Sequence, residues 1–247
     1  MSKIISIALL IVLIISTVFL CLAPLGISAW YLLGNFSQIV YQSKTSSYLL
    51  LSLFVAIVSA SMAAVMGYFL HVAFGSFNST QLTLVSLSLA LPLLLPIIGV
   101  AFGLSNLLKS LQIEGNWIWI ILGHFWLQVP IVFFLIGRFR SKNDSQLLFL
   151  VQSMQGSFLR RHFYGYLHIF KIPVLVSVYV AFIFSLEEGI VSWYVGGFDA
   201  TFPVFMVEKL GSSVGGEVIG SGVLLFALEL AVTTLVIRTK NVKNTKK

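Results

Sequence analysis

The chain has very little charge and almost no cysteine. Only 9% of its 247 residues are Asp, Glu, Lys or Arg, against roughly 25% in soluble domains. So few charges cannot clothe a water-exposed globular surface. Cys21 is the single cysteine, which excludes an intramolecular disulfide and hints at no metal cluster. The sequence has no Gly-x-x-x-x-Gly-Lys-Ser/Thr loop to cradle nucleotide phosphates and no His-Glu-x-x-His pair. It has no nucleophile elbow either. His162 and His168 are six apart, neither i+3 nor i+4, and read as interfacial or docking residues. No catalytic residue, metal site or cofactor is therefore expected on this chain.

What is present is apolar length. The composition is 58% hydrophobic, and the mean hydropathy is +1.01. A helix crosses a bilayer with about 20 consecutive apolar residues. Six runs meet that length: 4–33, 48–74, 82–107, 117–137, 174–198 and 217–237. They are continuously apolar, not alternating as in a β-barrel. The spacing predicts an all-α membrane protein of six transmembrane helices, forming one domain over 1–247. The first run is longer than a signal-peptide core, and the bulky Val18-Phe19-Leu20 before Cys21 is unlike a lipoprotein cleavage site. It reads as a retained span.

The 15 basic residues are placed asymmetrically. With a cytoplasmic N-terminus, 12 of them fall inside and only Lys44, Lys109 and Lys209 outside, as the positive-inside rule requires. The net charge of +7 then follows from topology. The basic tail after Ile237 reads as an anchor on membrane lipid. No basic groove interleaved with aromatics supports nucleic-acid binding.

Several spans carry residues that a bilayer tolerates poorly. Pro92 and Pro96 each remove a backbone donor and obstruct the preceding turn. They predict a bent helix, either lining a pathway or simply kinked for packing. Pro130 is a third candidate helix break, beside His124 and Gln128 in the fourth run. Gly99/Gly103 and Gly216/Gly220 have small-xxx-small spacing, which reads as helix packing. Acidic residues at membrane depth are functional hypotheses by default. Glu187 and Glu188 stand near the middle of the fifth run, and Glu229 lies in the sixth. Neighbouring residues on a helix point about 100° apart, so the pair cannot easily share a partner. One reading has an acid facing a pathway; the other has both as buried structural acids.

Between the fourth and fifth runs lies a basic, amphipathic stretch, 138–172, with the register Gly156-Ser157-x5-Phe163-x9-Pro173. Connections between helices are normally short, so this one reads as a docking element for a soluble partner. The pattern resembles the permease subunit of a binding-protein-dependent ABC importer of the type I fold. It is most similar to the spermidine/putrescine branch and its ferric-iron relatives. The resemblance runs from about Tyr48 to Arg238. Gly156 matches the glycine of the family's cytoplasmic signature, although Leu150, Val151 and Gln152 replace its leading Glu-Ala-Ala. The Leu91-Pro92-x3-Pro96-Ile97-x-Gly99 run looks like the family's proline-bearing helix. Gly123-His124 followed by Pro130 looks like the helix before the loop. The strongest local match is Ser185-Leu186-Glu187-Glu188-x2-Val191-Ser192-x4-Gly197, followed by Phe202-Pro203.

The resemblance implies an importer half in a bacterial inner membrane, with both termini cytoplasmic. A second permease, identical or related, would complete the pathway. Two ATPase subunits carrying the ATP would bind below, and a periplasmic binding protein would dock above. Gly156, Ser157, Arg160 and Phe163 would form the ATPase-coupling helix. Glu187, Glu188 and Ser192 would line the route of a polyamine-like cation. The same fold also carries iron, anions and vitamins. An ion-coupled carrier and a non-transporting scaffold subunit are the competing classes. The topology has a direct check. In a Cys21→Ser background, a cysteine replacing Ser145 should resist labelling by impermeant reagents from the periplasmic side of intact cells. Labelling there overturns the orientation.

Overall fold

A computed structural model describes residues 43–74, 79–138, 151 and 165–212. Among these residues the regular structure is all helical, without strands. The helices are α1 (Ser43–Ala73), α2 (Ser79–Leu94), α3 (Ile97–Ser110), α4 (Trp117–Arg138), α5 (Leu167–Glu187), α6 (Ile190–Val195) and α7 (Phe202–Ser212). Three segments are long and apolar enough to cross a membrane: Ser46–Ala73, Trp117–Arg138 and Ile169–Glu187. The bent pair α2–α3 makes a fourth if counted as one span. The runs 4–33 and 217–237, Glu229, Gly216 and Gly220 lie outside the described residues, so the count of six stands as an expectation. Residues 47–204 form one compact unit, and the described residues 43–46 and 205–212 belong to a second.

The packing of α1 is that of a helix bathed in lipid. Its buried face is Ser52, Val55, Ala56, Ser59, Ala60, Ala63, Ala64, Gly67 and Tyr68, in an i, i+3, i+4, i+7 rhythm of mostly small residues. Its exposed face carries Phe54, Ile57, Met62, Val65, Met66 and Phe69. Water would force the large apolar residues inward. In a bilayer the tails are as apolar as leucine, so small residues take the interface and let backbones approach. The approach is closest at Gly67, where a Cβ would stand 2.6 Å from Val132 Cγ1 and 3.2 Å from the Phe133 amide nitrogen.

The third apolar run is not one straight span. α2 and α3 meet at 87°, and the break falls at Leu95–Pro96. Pro92 sits in the last turn of α2, while Pro96 is the N-cap of α3 and its carbonyl accepts from Gly99 and Val100. Pro130 behaves differently: α4 continues through it without interruption, so the helix break anticipated there is absent. Its ring removes one donor, and burial between neighbouring helices holds the rod intact. α3 ends with Gln112 in the left-handed region at φ 56°. The Ile113 amide there bonds the Leu108 carbonyl and the Gln112 amide that of Lys109, the pairing of a Schellman motif.

The small-xxx-small pair in α3 does not pack in the way the spacing suggested. A Cβ at Gly99 or Gly103 would meet nothing within 4 Å among the described residues. This separates two glycines that look alike in sequence. Gly67→Ala should destabilise the purified protein by about 1–3 kcal/mol, because an overpacked contact must shift. Gly99→Ala should stabilise it by about 0.5–1 kcal/mol, by restricting a helical backbone. Thermal unfolding in one detergent checks both signs.

Candidate functional site

The fifth apolar run is also broken, and the break carries the acidic pair. α5 ends at Glu187, Glu188 is extended (φ −77°, ψ 111°), and Gly189 is the N-cap of α6. The acids therefore stand at a helix junction, not in mid-span. The physical cause is local. The Glu188 carboxylate folds forward and replaces the backbone partners that α6 lacks at its start. Its Oε1 accepts from the Ile190 amide at 2.8 Å, and its Oε2 from the Val191 amide at 3.0 Å. Glu188 is buried, whereas Glu187 is exposed. Among the described residues no hydrogen bond or ion pair engages Glu187.

His124 lies against the Glu188 carboxylate. Its Nε2 lies 3.2 Å from Glu188 Oε2 and 3.1 Å from Ser192 Oγ. Its Nδ1 lies 2.6 Å from Ser185 Oγ. Ser185 Oγ is 3.2 Å from Ser59 Oγ, and Gln128 Nε2 donates to Ser59 Oγ at 3.2 Å. All six side chains are buried. A continuous chain of polar groups thus joins α1, α4, α5 and α6 inside an apolar bundle. Burying each uncharged group alone would cost roughly 1–3 kcal/mol on the protein mutational scale, and the carboxylate far more; together they satisfy one another. Of these six, only Gln128 Oε1 lacks a partner among the described residues. Sequence reasoning noted His124 and Gln128 at depth, and Ser185, Glu188 and Ser192 in another run. It did not join them, and it named no partner for the acid.

The chain sits where α6 presses hardest on α4. A Cβ at Gly123 would stand 2.5 Å from Val191 Cγ1, so the absence of a side chain at 123 lets His124 reach Ser192, the residue after Val191. On α4, His124 and Gln128 fall between Ile120 and Ile121, packed on α3 and α6 residues, and Val132 and Ile136, packed on α1 and α5 residues.

Three further hydrogen bonds fix helix starts, and sequence reasoning missed them. The Trp117 amide at the start of α4 donates to Asp199 Oδ2 at 2.9 Å, and Asn116 Oδ1 accepts from the Ile118 amide at 3.0 Å. Gly115 and Gly197 interlock there. A Cβ on Gly115 would meet the Val195 carbonyl oxygen at 2.5 Å, and Gly197 needs φ +61°. Ser52 Oγ accepts from the Phe202 amide at 2.6 Å, which caps α7. An apolar cavity of about 570 Å³ opens beside α2, α3 and α4, lined among others by Leu91, Pro92, Gly99, Gly103, Trp126 and Val191.

The anticipated coupling residues Gly156, Ser157, Arg160 and Phe163 lie outside the described residues. The stretch around them is tied down at both described ends. Val151 and Tyr166 join the buried cluster of Tyr68 and Phe170, and a Cβ on Gly165 would collide with Val151. The loop assigned to 138–172 is already helical from Leu167, and Pro173 lies within α5. Among the described residues no group of three His, Cys, Asp or Glu could hold a metal ion.

No protein-family model matches the chain. It is similar to the inner membrane ABC transporter permease protein YnjC of Escherichia coli (strain K12). The two are 26% identical over 127 residues, which is 51% of this chain and 24% of that protein. The chain therefore matches only about a quarter of that relative's length. This likeness and the apolar helices together support a membrane-embedded chain.

Two substitutions probe the polar chain. Ser185→Ala removes a link and strands His124 Nδ1 and Ser59, so it should cost about 1–3 kcal/mol. Gln128→Leu removes the group that already lacks a partner and should cost less than about 1 kcal/mol. Unfolding midpoints in detergent rank the two.

Proposed function

We propose that the chain is the permease subunit of a binding-protein-dependent ABC importer. The observation that carries this reading is the 127-residue likeness to an inner membrane ABC permease. The small-inside, large-outside packing of α1 and the broken α2–α3 pair support it. Non-helical backbone at membrane depth survives only where protein or a water-filled cavity receives it, which suits the wall of a pathway. In this reading a second permease completes the pathway, two ATPase subunits bind the 138–172 stretch through Gly156, Ser157, Arg160 and Phe163, and a periplasmic binding protein delivers substrate. ATP binding and hydrolysis on the ATPases rock the permeases between inward- and outward-facing states.

The cargo we propose is a polyamine-like cation, and the geometry shifts its support onto one residue. The Glu188 carboxylate is already held by two backbone amides and His124, and Ser192 is buried against the same histidine. Glu187, exposed at the end of α5, is the acid with a carboxylate free to meet a cation. The pair thus divides its work: Glu188 builds the junction and Glu187 faces the pathway.

The test uses the complete transporter in a strain lacking other polyamine importers. The chain should co-purify with an ATPase subunit, and Gly156→Leu should abolish spermidine uptake while leaving the chain inserted. Glu187→Gln keeps size but removes charge, and should cut spermidine uptake about tenfold, equivalent to roughly 1.4 kcal/mol in barrier. Normal uptake by Glu187→Gln removes the cation assignment. Absence of an ATPase from the purified complex removes the importer reading itself.

A further inference from the structure

We propose that His124 is a positioning residue for the α5–α6 junction, with its proton placed by residue 188 and that placement passed through Ser185 and Ser59 to Gln128. The proposal concerns the interior of the bundle and goes beyond the permease reading. Its consequence for transport rests on that reading, but its test does not.

The donor order can be followed atom by atom. Gln128 Nε2 donates to Ser59 Oγ. The Ser59 hydroxyl then donates to Ser185 Oγ, and the Ser185 hydroxyl to His124 Nδ1, across the contacts of 3.2 and 2.6 Å. Nδ1 is thereby an acceptor, and the ring proton sits on Nε2. From there it points to Ser192 Oγ, with Glu188 Oε2 3.2 Å from the same nitrogen, while the Ser192 hydroxyl faces the Glu188 carbonyl oxygen at 3.5 Å. Every hydroxyl donates once, and the carboxylate, which can only accept when ionised, receives donors alone. The path leaves α4 at Gln128, crosses α1 and α5, and returns to α4 one turn away at His124.

One other complete order exists, with the Gln128 amide turned over. If residue 188 offers a donor to Nε2, the ring proton must sit on Nδ1. Nδ1–H then donates to Ser185, Ser185 to Ser59, and Ser59 to an amide oxygen of Gln128. That acceptor is Gln128 Oε1, buried and without a partner among the described residues; because Nε2 is the atom that faces Ser59 Oγ at 3.2 Å, the reversed order also turns the Gln128 amide over. On the ring one N–H bond breaks at Nε2 and one forms at Nδ1; a glutamate at 188 can donate only after its carboxylate takes up one proton, whereas a glutamine there needs none. The ring orientation that holds α6 against Gly123 is thus linked to whether residue 188 accepts or donates.

Glu188→Gln makes that exchange. Its amide oxygen can keep capping Ile190 and Val191, while its amide nitrogen turns a donor toward His124 Nε2. The experiment is nitrogen-15 NMR of the full-length, histidine-labelled protein in lipid, with the His124 signals assigned by their loss in His124→Asn. In the natural protein Nδ1 should resonate as a pyridine-type and Nε2 as a pyrrole-type nitrogen. In Glu188→Gln the two types should exchange places. A natural protein protonated on Nδ1, or on both nitrogens, overturns the proposal. So does Glu188→Gln with an unchanged tautomer. Should that variant fail to fold, Ser185→Ala serves instead. There the Nδ1 resonance should move toward the position of an imidazole nitrogen without a hydrogen bond, and an unmoved resonance refutes the path. A histidine whose tautomer is set elsewhere in the bundle would show none of these exchanges. The measurement needs no substrate, ATPase or binding protein, so its failure leaves the importer reading standing, and the failure of that reading leaves the tautomer assignment standing.

Discussion

A carboxylate buried in a bilayer-embedded bundle must be satisfied by its own protein. Glu188 meets that demand with two amides and one imidazole, and much of the described architecture follows from it. To reach the amides of α6 the chain must leave the α5 helix at Glu188. To reach the imidazole, α6 must lie against α4, which requires Gly123 to have no side chain. To hold the imidazole, α1 and α5 must bring Ser59 and Ser185 together, which the small face of α1 permits. The junction, the close helix contacts and the serine positions are thus parts of one solution to a desolvation problem.

The apolar framework around this path works by shape. Lipid supplies no hydrophobic pressure between helices, so contact depends on fit and on interhelical hydrogen bonds. Gly67 against Val132 and Gly123 against Val191 are points of near backbone contact. Gly99 and Gly103 border open volume instead, next to the 87° turn between α2 and α3. The bundle is therefore tight around α4 on the side of α1, α5 and α6, and slack where α3 faces the cavity.

Much of this was legible in the chain itself, for physical reasons. Apolar length marks a membrane helix regardless of partners, so the runs around α1, α4 and α5 could be read directly. Proline chemistry is local, and the break near Pro96 could be anticipated. Whether a proline breaks a helix depends on its neighbours, so Pro130 within an intact α4 could not. The acids at 187 and 188 were visible as costly residues. The division between them was hidden, because an acid that caps its own downstream helix also ends the upstream one. His124 was a visible oddity, but its partners lie 61 and 68 residues away at Ser185 and Ser192. A single sequence holds no record of which distant serine meets which nitrogen. The Asp199 contact was hidden in the same way.

The Asp199 cap also has a consequence in time. It joins the start of α4 to a residue 82 positions later in the chain. At synthesis rates of about 5–20 residues per second, α4 exists for roughly 4–16 s before its cap has been made. The serine partners of His124 are delayed on a similar scale. During that interval the Trp117 amide and the imidazole lack their later partners, whereas the Ile118 and Gln128 amides already have Asn116 and Ser59. The polar contacts of α4 are complete only when the segment from Ser185 to Asp199 has been made, so the last described third of the chain finishes the packing of its centre.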